Sequence, residues 1–318
     1  MWISPYKYVL SLGHLCSDIN QSILSAVLPF LIATYHYDYT TAAMLVTVSN
    51  VFGAFVQPFI GMLSDKKNKL LYMTLGVLLA SGGMAVTGFI SNFFGLWIVV
   101  IMSGIGVAMF HPQAAKLFNS VSSKNAKGKG MSIFSFGGKV GFTLGPVYTA
   151  FLMNLFGMKG TILFLIPGIV FGIVCSFFNT DFENLDVLEV EKKEKVKSEQ
   201  KDDWSGFIKL CCVVFSRSIL SNGISTFLAF YFIQQFSKSN SFASMLLSVF
   251  YGIGSITLLG GGIADCFGHR KMVRLSFCIF LPAIFIFTNT SHFVIALIML
   301  IFMTCGESLS YSPMVVLG

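Results

Sequence analysis

Ten stretches of about 20 mostly apolar residues follow one another along this chain, parted by short polar segments: roughly 9–35, 41–63, 70–90, 94–117, 130–155, 161–178, 207–236, 242–263, 272–290 and 293–316. A helix rising 1.5 Å per residue crosses the hydrocarbon core of a bilayer, about 30 Å thick, in about 20 residues. No water in that layer can satisfy backbone N–H and C=O groups, so a spanning segment must close its hydrogen bonds as a helix or join a closed barrel. Barrel strands need only about ten residues with strict apolar–polar alternation, and no segment reads that way. The chain is therefore expected to be an all-α integral membrane protein. Its composition agrees: 55% of the 318 residues are apolar and 11% charged, against about 25% charged in soluble domains. The first stretch runs past the length of a signal-peptide core and carries no small-residue cleavage site, so it is expected to remain as the first helix.

The distribution of Lys and Arg predicts orientation. With the N-terminus inside, one face collects seventeen of them, among them Lys7, Lys66, Lys67, Lys69, Lys116 and six lysines around the central loop, and the other only Lys159 and Lys238. This is the positive-inside bias of a cytoplasmic-membrane protein; the formal charge of +7 reports topology and does not point to nucleic acid. The seven cysteines fall mostly inside apolar segments without paired spacing. They read as buried small hydrophobes, with neither a disulfide framework nor a metal site.

The segment Gly61-Met-Leu-Ser-Asp65 returns 200 residues later as Gly261-Gly-Ile-Ala-Asp265, each time at the end of an apolar stretch and before a basic cluster. The offset extends further: Ser17-Asp18 falls opposite Arg217-Ser218, Gln21 opposite Ser221, and Phe110-His111-Pro112 within a residue of Tyr311-Ser312-Pro313. Helices seven to ten thus repeat helices one to four. Three regions result: a six-helix half over 1–180, a charged cytoplasmic linker over 181–206, and a second half over 207–318 holding helices seven to ten only. Partners of helices five and six would occupy about 330–380, so the chain is expected to be a shortened twelve-helix protein, with a ten-helix product the alternative.

In Gly-x-x-x-Asp the glycine is expected to let a neighbouring helix approach, and the aspartate to pair with cations or a helix N-terminus at the cytoplasmic mouth, a contact made in one conformation and broken in another. A plain loop acid is the alternative, and the second copy in register argues against it. These loops resemble the signature of the major facilitator superfamily, which is similar to Gly-x-Leu-Ala-Asp-Arg-x-Gly-Arg-Lys. The second copy, through Gly261, Asp265, Gly268, Arg270 and Lys271, keeps most of it; the first has Lys66 and Lys69 for arginines and Asn68 for glycine. Further segments resemble the fosmidomycin-resistance branch of that superfamily: Gly13-His14-x-x-x-Asp18-x-x-Gln21-Ser22, Phe110-His111-Pro112, the run from Ser132 to Pro146 and Val315-Val316-Leu317-Gly318. The resemblance implies a fold of two pseudo-symmetric six-helix halves and proton-driven export of drugs or toxic metabolites by an antiporter conferring resistance. Lys139 departs from the neutral amide that the family's fifth helix has there. Gly137, Gly138, Gly141 and Gly145-Pro146 form a smooth face with a Pro-induced kink; the resemblance associates it with sealing the outer side, and a generic packing seam is the alternative.

Four ionisable residues, Asp18, Lys139, Arg217 and Glu307, sit about nine or ten residues inside apolar helices, roughly 14 Å deep. His14 and His111 lie about one turn nearer the cytosol. On the first helix His14, Asp18, Gln21 and Ser25 share one face. Charges at that depth cost at least a few kcal/mol unless paired or wetted. Either they form internal ion pairs that fix packing, or Asp18 or Glu307 carries a proton while Lys139 or Arg217 attracts an anionic group or resets the acid. Two charges about 4 Å apart interact by about 4 kcal/mol at an effective dielectric of 20, enough for helix motion to move a proton. His14 is the preferred relay; His111, before Pro112, either relays or satisfies a freed carbonyl.

The function expected is secondary active transport: export of small amphipathic or anionic compounds against protons, by alternating access around a central cavity, from a monomer in the cytoplasmic membrane. Uptake of a metabolite by proton symport is the alternative. An enzyme or an ATP-driven pump is disfavoured, because the longest loop holds no histidine, cysteine or Gly-rich phosphate motif. No cofactor is expected.

Overall fold

The computed structural model describes residues 5–64, 69–121, 127–178, 204–256 and 267–309. Within them lie ten α-helices: α1 (Pro5–Tyr35), α2 (Tyr39–Ser64), α3 (Lys69–Val86), α4 (Phe93–Val121), α5 (Lys127–Phe156), α6 (166–178), α7 (Trp204–Phe236), α8 (Asn240–Ile256), α9 (His269–Asn289) and α10 (Phe293–Leu309). The chain divides into two compact units, Met1–Lys197 and Ser198–Gly318.

In the first unit α1 is the central element. It packs most extensively against α5 and also meets α4 and α3, while α4 fills the groove between α2 and α3. The core under α1 is aromatic and aliphatic: Leu10, Met73, Phe110, Phe118, Phe134 and Phe171 are buried together. Large apolar side chains on the outer faces of the helices, such as Phe55, Phe94 and Phe177, are exposed, as expected of faces turned to lipid. In the second unit α9 packs on α10, and α8 on α7 and α10, the same pairing that α3, α2 and α1 make with their neighbours in the first.

The repeat is also written in the turns. His36 after α1 and Ser237 after α7 both take a left-handed backbone, with φ 56° and 51°. Two residues on, Asp38 accepts the Thr41 N–H at 2.8 Å and Ser239 the Phe242 N–H at 3.2 Å, so each side chain caps the N-terminus of the next helix. A tyrosine late in the first helix of each unit reaches the end of the third: Tyr35 Oη donates at 3.1 Å to the carbonyl of Gly88, in the 3₁₀ turn just after α3, and Tyr231 Oη to that of Phe287, in α9, at 2.6 Å.

Several expectations change. Helix six begins later than 161, because residues Gly157–Leu165 wind as a 3₁₀ helix after the left-handed Gly157, with φ 56°. Helix α5 continues through Pro146 as one helical span. Of the six described cysteines only Cys16 and Cys175 are buried; Cys211, Cys212 and Cys278 are exposed, because a spanning helix can turn small apolar side chains to lipid as readily as to a core. The ends expected for helices eight and ten, beyond 256 and 309, and linker residues 181–203 lie outside the described residues, while residues 204–206, expected in the linker, already belong to α7.

Candidate functional site

Asp18 lies at mid-length of α1 and is 3% exposed. Its carboxylate is flanked by two imidazoles: His14 Nε2 stands 3.3 Å from Oδ2 and His111 Nε2 3.4 Å from Oδ1. The i, i+4 spacing puts His14 and Asp18 on one face of α1, and α4 brings His111 from the other side. His14 Nδ1 lies 2.8 Å from the Phe134 carbonyl oxygen, and its ring stacks on that of Phe134 with centroids 4.2 Å apart. The two imidazoles meet edge to face at 5.3 Å. Asp18 Oδ1 accepts no hydrogen bond within ordinary geometry. One ligand atom from each of the three residues lies within 4.8 Å of the others, close enough to share a single small cation, the smallest being a proton.

Glycines of α5 make room for this arrangement. A Cβ on Gly138 would stand 2.5 Å from Asp18 Oδ2 and 2.6 Å from His14 Nε2. One on Gly137 would run into the Ser11 carbonyl, on Gly141 into that of Leu15, and on Gly145 into Ser22 Oγ. The four residues are thus one seam laid along α1, and α5 approaches closely enough to form the floor of the site. Lys139, half-buried beside Gly138, is near enough for its charge to act on His14. Gln21 is half-buried and Ser25 buried, farther along α1.

Among the described residues of the second unit, Arg217 Nη2 of α7 donates to Glu307 Oε1 of α10. Ser308 Oγ lies 3.3 Å from the other carboxylate oxygen. The two charges line a small apolar pocket with Leu220, Ser276, Phe277 and Phe280. Gly306 is required there, since a Cβ would stand 2.8 Å from the Phe280 backbone nitrogen. Each unit therefore joins its first and fourth helices by an acid and a base at its centre, with polarity reversed: the acid lies on α1 in the first unit and on α10 in the second.

The cytoplasmic motif looks different from its expectation. A Cβ on Gly61 would meet nothing among the described residues within 4 Å, so no helix approach at this glycine is seen among them. Its carbonyl instead accepts from Lys116 Nζ at 3.1 Å, and that of Ile60 from Gln113 Nε2 at 3.3 Å. Two α4 side chains thereby satisfy the last turns of α2, a cation placed at the negative end of a helix. Asp65, Gly261 and Asp265 lie outside the described residues. Gly268 caps α9 with φ 89°, a backbone that favours glycine, and Arg270 is exposed in the first turn.

Sequence reading passed over three contributors. The Phe134 carbonyl carries no side-chain signal. Asn20 was visible only as a lone amide; its Nδ2 donates to the Cys16 carbonyl and to Ser81 Oγ, both at 2.8 Å, tying α1 to α3. Lys116 was counted only as rim charge.

Residues 10–318 match the model of the Major Facilitator Superfamily. The chain is 22% identical over 268 residues to the fosmidomycin resistance protein of Escherichia coli (strain K12), covering 83% of this chain and 66% of that protein, so it spans about two-thirds of that relative's length. Among solved structures it resembles a bacterial homolog to the human lysosomal transporter Spinster in an inward-facing and occupied conformation, with TM-score 0.78 at 16% identity over 98% of this chain and 73% of that one. It likewise resembles the xylose transporter XylE from E. coli, inward open, with TM-score 0.76 at 14% identity over 98% of this chain and 81% of that one.

Proposed function

The chain belongs to the Major Facilitator Superfamily, and on that premise we propose that it is a secondary transporter, exporting small amphipathic or anionic toxic compounds from the cell in exchange for protons. The observation that carries the reading is Asp18, a carboxylate 3% exposed on a membrane helix and held between two imidazoles. A charge so placed is costly unless compensated, and a group that shuttles between a proton and a neighbouring cation supplies compensation in two states. Similarity to the fosmidomycin resistance protein supports export and a small toxic substrate. In this reading the protein acts as a monomer in the cytoplasmic membrane, and the charge bias of its loops supports an N-terminus on the inside.

In this reading Asp18 takes a proton on one side and releases it on the other. Arg217 and Glu307 hold each other until an anionic group competes for the arginine. Drug-sensitivity profiling of a deletion strain identifies the compounds, and complementation with the Asp18→Asn variant tests the site. The variant is expected to reach the membrane at normal abundance and lose at least about tenfold in uphill efflux. Unchanged efflux would remove Asp18 as the proton site, whereas accumulation of the compound driven by an inward proton gradient would reverse the direction.

A further inference from the structure

We propose that the two histidines beside Asp18 have different roles: His14 is a tautomer-locked positioning residue, and His111 is the group that passes protons between water and Asp18. The inference rests on Asp18 being the proton carrier and assigns what surrounds it.

A carbonyl oxygen only accepts, so the 2.8 Å contact between His14 Nδ1 and the Phe134 carbonyl fixes a hydrogen on Nδ1. The stacking of the ring on Phe134 at 4.2 Å holds that orientation. If His14 were neutral and Asp18 ionised, a lone pair on Nε2 would face a carboxylate lone pair 3.3 Å away, in a site with little water to separate them. One proton between them removes the conflict. The pair therefore rests as imidazolium and carboxylate, and carries one proton throughout the cycle.

The proton that moves is then a second one, and the other carboxylate oxygen is where it can go. Asp18 Oδ1 is buried with no hydrogen bond to satisfy it, and His111 Nε2 stands 3.4 Å from it. The His111 side chain is 29% exposed against 15% for His14, so it has the readier access to water. In the transfer, an imidazolium at His111 gives up its Nε2 proton: the N–H bond breaks with its electron pair staying on nitrogen, and an O–H bond forms at Oδ1. His111 is left neutral and Asp18 becomes a carboxylic acid accepting from His14 through Oδ2. The His14–Asp18 pair thus alternates between net charge zero and plus one. Of the helices packed on α4, α1 brings His14 and Asp18, and α5 brings Lys139, whose charge opposes the loaded state and so favours release. Neither α2 nor residues 70–86 of α3 carry an acid, lysine, arginine or histidine.

The test needs no knowledge of the exported compound. Purified protein in lipid nanodiscs is subjected to a rapid pH drop, and the carboxylic C=O infrared band of Asp18, identified by its loss in Asp18→Asn, is followed in time. His111→Gln is expected to slow the appearance of the band at least tenfold while reaching the same final amplitude. External imidazole should restore the rate in His111→Ala, which a merely structural role would not allow. His14→Gln is expected to keep the rate but to shift the pH midpoint of the band by about one unit or more. An unchanged rate in His111→Gln, or slowing in His14→Gln alone, overturns the assignment and leaves Asp18 as carrier. A wild-type protein that shows no such band overturns the carrier itself, and with it both readings.

Discussion

Gly138 shows how much one missing methyl group decides. Its hydrogen faces Asp18 Oδ2 and His14 Nε2 where a Cβ would stand 2.5 and 2.6 Å away, so Gly138→Ala must push α5 off α1 or split the acid from its imidazole. A loss of about 1–3 kcal/mol is expected, in the range of overpacked cores, together with loss of proton-coupled transport. The sequence drew equal attention to Gly61, yet nothing described lies within 4 Å of its would-be Cβ. Gly61→Ala should therefore be neutral or stabilising by up to about 1 kcal/mol, as helix glycines are when no neighbour objects. Thermal unfolding of both variants in detergent separates the two; equal destabilisation would contradict the packing described. Asp18, His14 and His111 were each legible as polar groups at a depth that penalises them. That one carboxylate gathers both histidines was not, because α1 and α4 meet at an azimuth set by every other contact they make.

Between elements, the second unit stakes its first and fourth helices on the Arg217–Glu307 pair, with side chains 15% and 11% exposed. Removing either partner alone leaves an uncompensated charge, and Arg217→Met or Glu307→Leu should each cost about 3–5 kcal/mol; the double variant should recover most of that stability while losing transport. A double variant no more stable than the singles would show that the pair is not the bond joining α7 to α10. At the start of α2, the Asp38 carboxylate is held below its usual range by hydrogen bonds from Thr41, side chain and backbone. A carboxyl whose affinity for protons falls on folding stabilises the folded form above its unfolded pKa, and that contribution disappears as pH drops through the lowered value. Asp38→Ala should accordingly speed amide exchange at residues 39–42 near neutral pH, with the difference from the parent fading under strongly acidic conditions. The capping roles of Asp38 and Ser239 come from the structure, since the apolar runs mark a helix without marking the residue that closes its first turn. The nine-residue 3₁₀ segment Gly157–Leu165 was not legible in the sequence either, since its residues suit an α-helix and its course depends on bonds such as that of the Thr161 hydroxyl to the Ala85 carbonyl at 3.0 Å.

For the whole molecule, the charge bias makes an orientation testable in intact cells. In a cysteine-free background, a cysteine at Lys159 or Lys238 should react with a membrane-impermeant maleimide from outside, and one at Lys116 only after permeabilisation; the reverse pattern would invert the topology. The sequence by itself determined that the chain is a bundle of spanning helices, that it is built from a repeated unit, and which side chains are too polar to be idle in it. Those properties follow from composition and spacing, because the hydrocarbon layer imposes the same demand on every segment whatever its neighbours. Tertiary structure alone decided who meets whom: two histidines at Asp18, an arginine at Glu307, a lysine at the Gly61 carbonyl. A helix carries its side chains at fixed angles, but which of them face a partner depends on how it is turned and how closely the next backbone approaches. Here the seam of Gly137, Gly138, Gly141 and Gly145 sets that approach by what those residues lack.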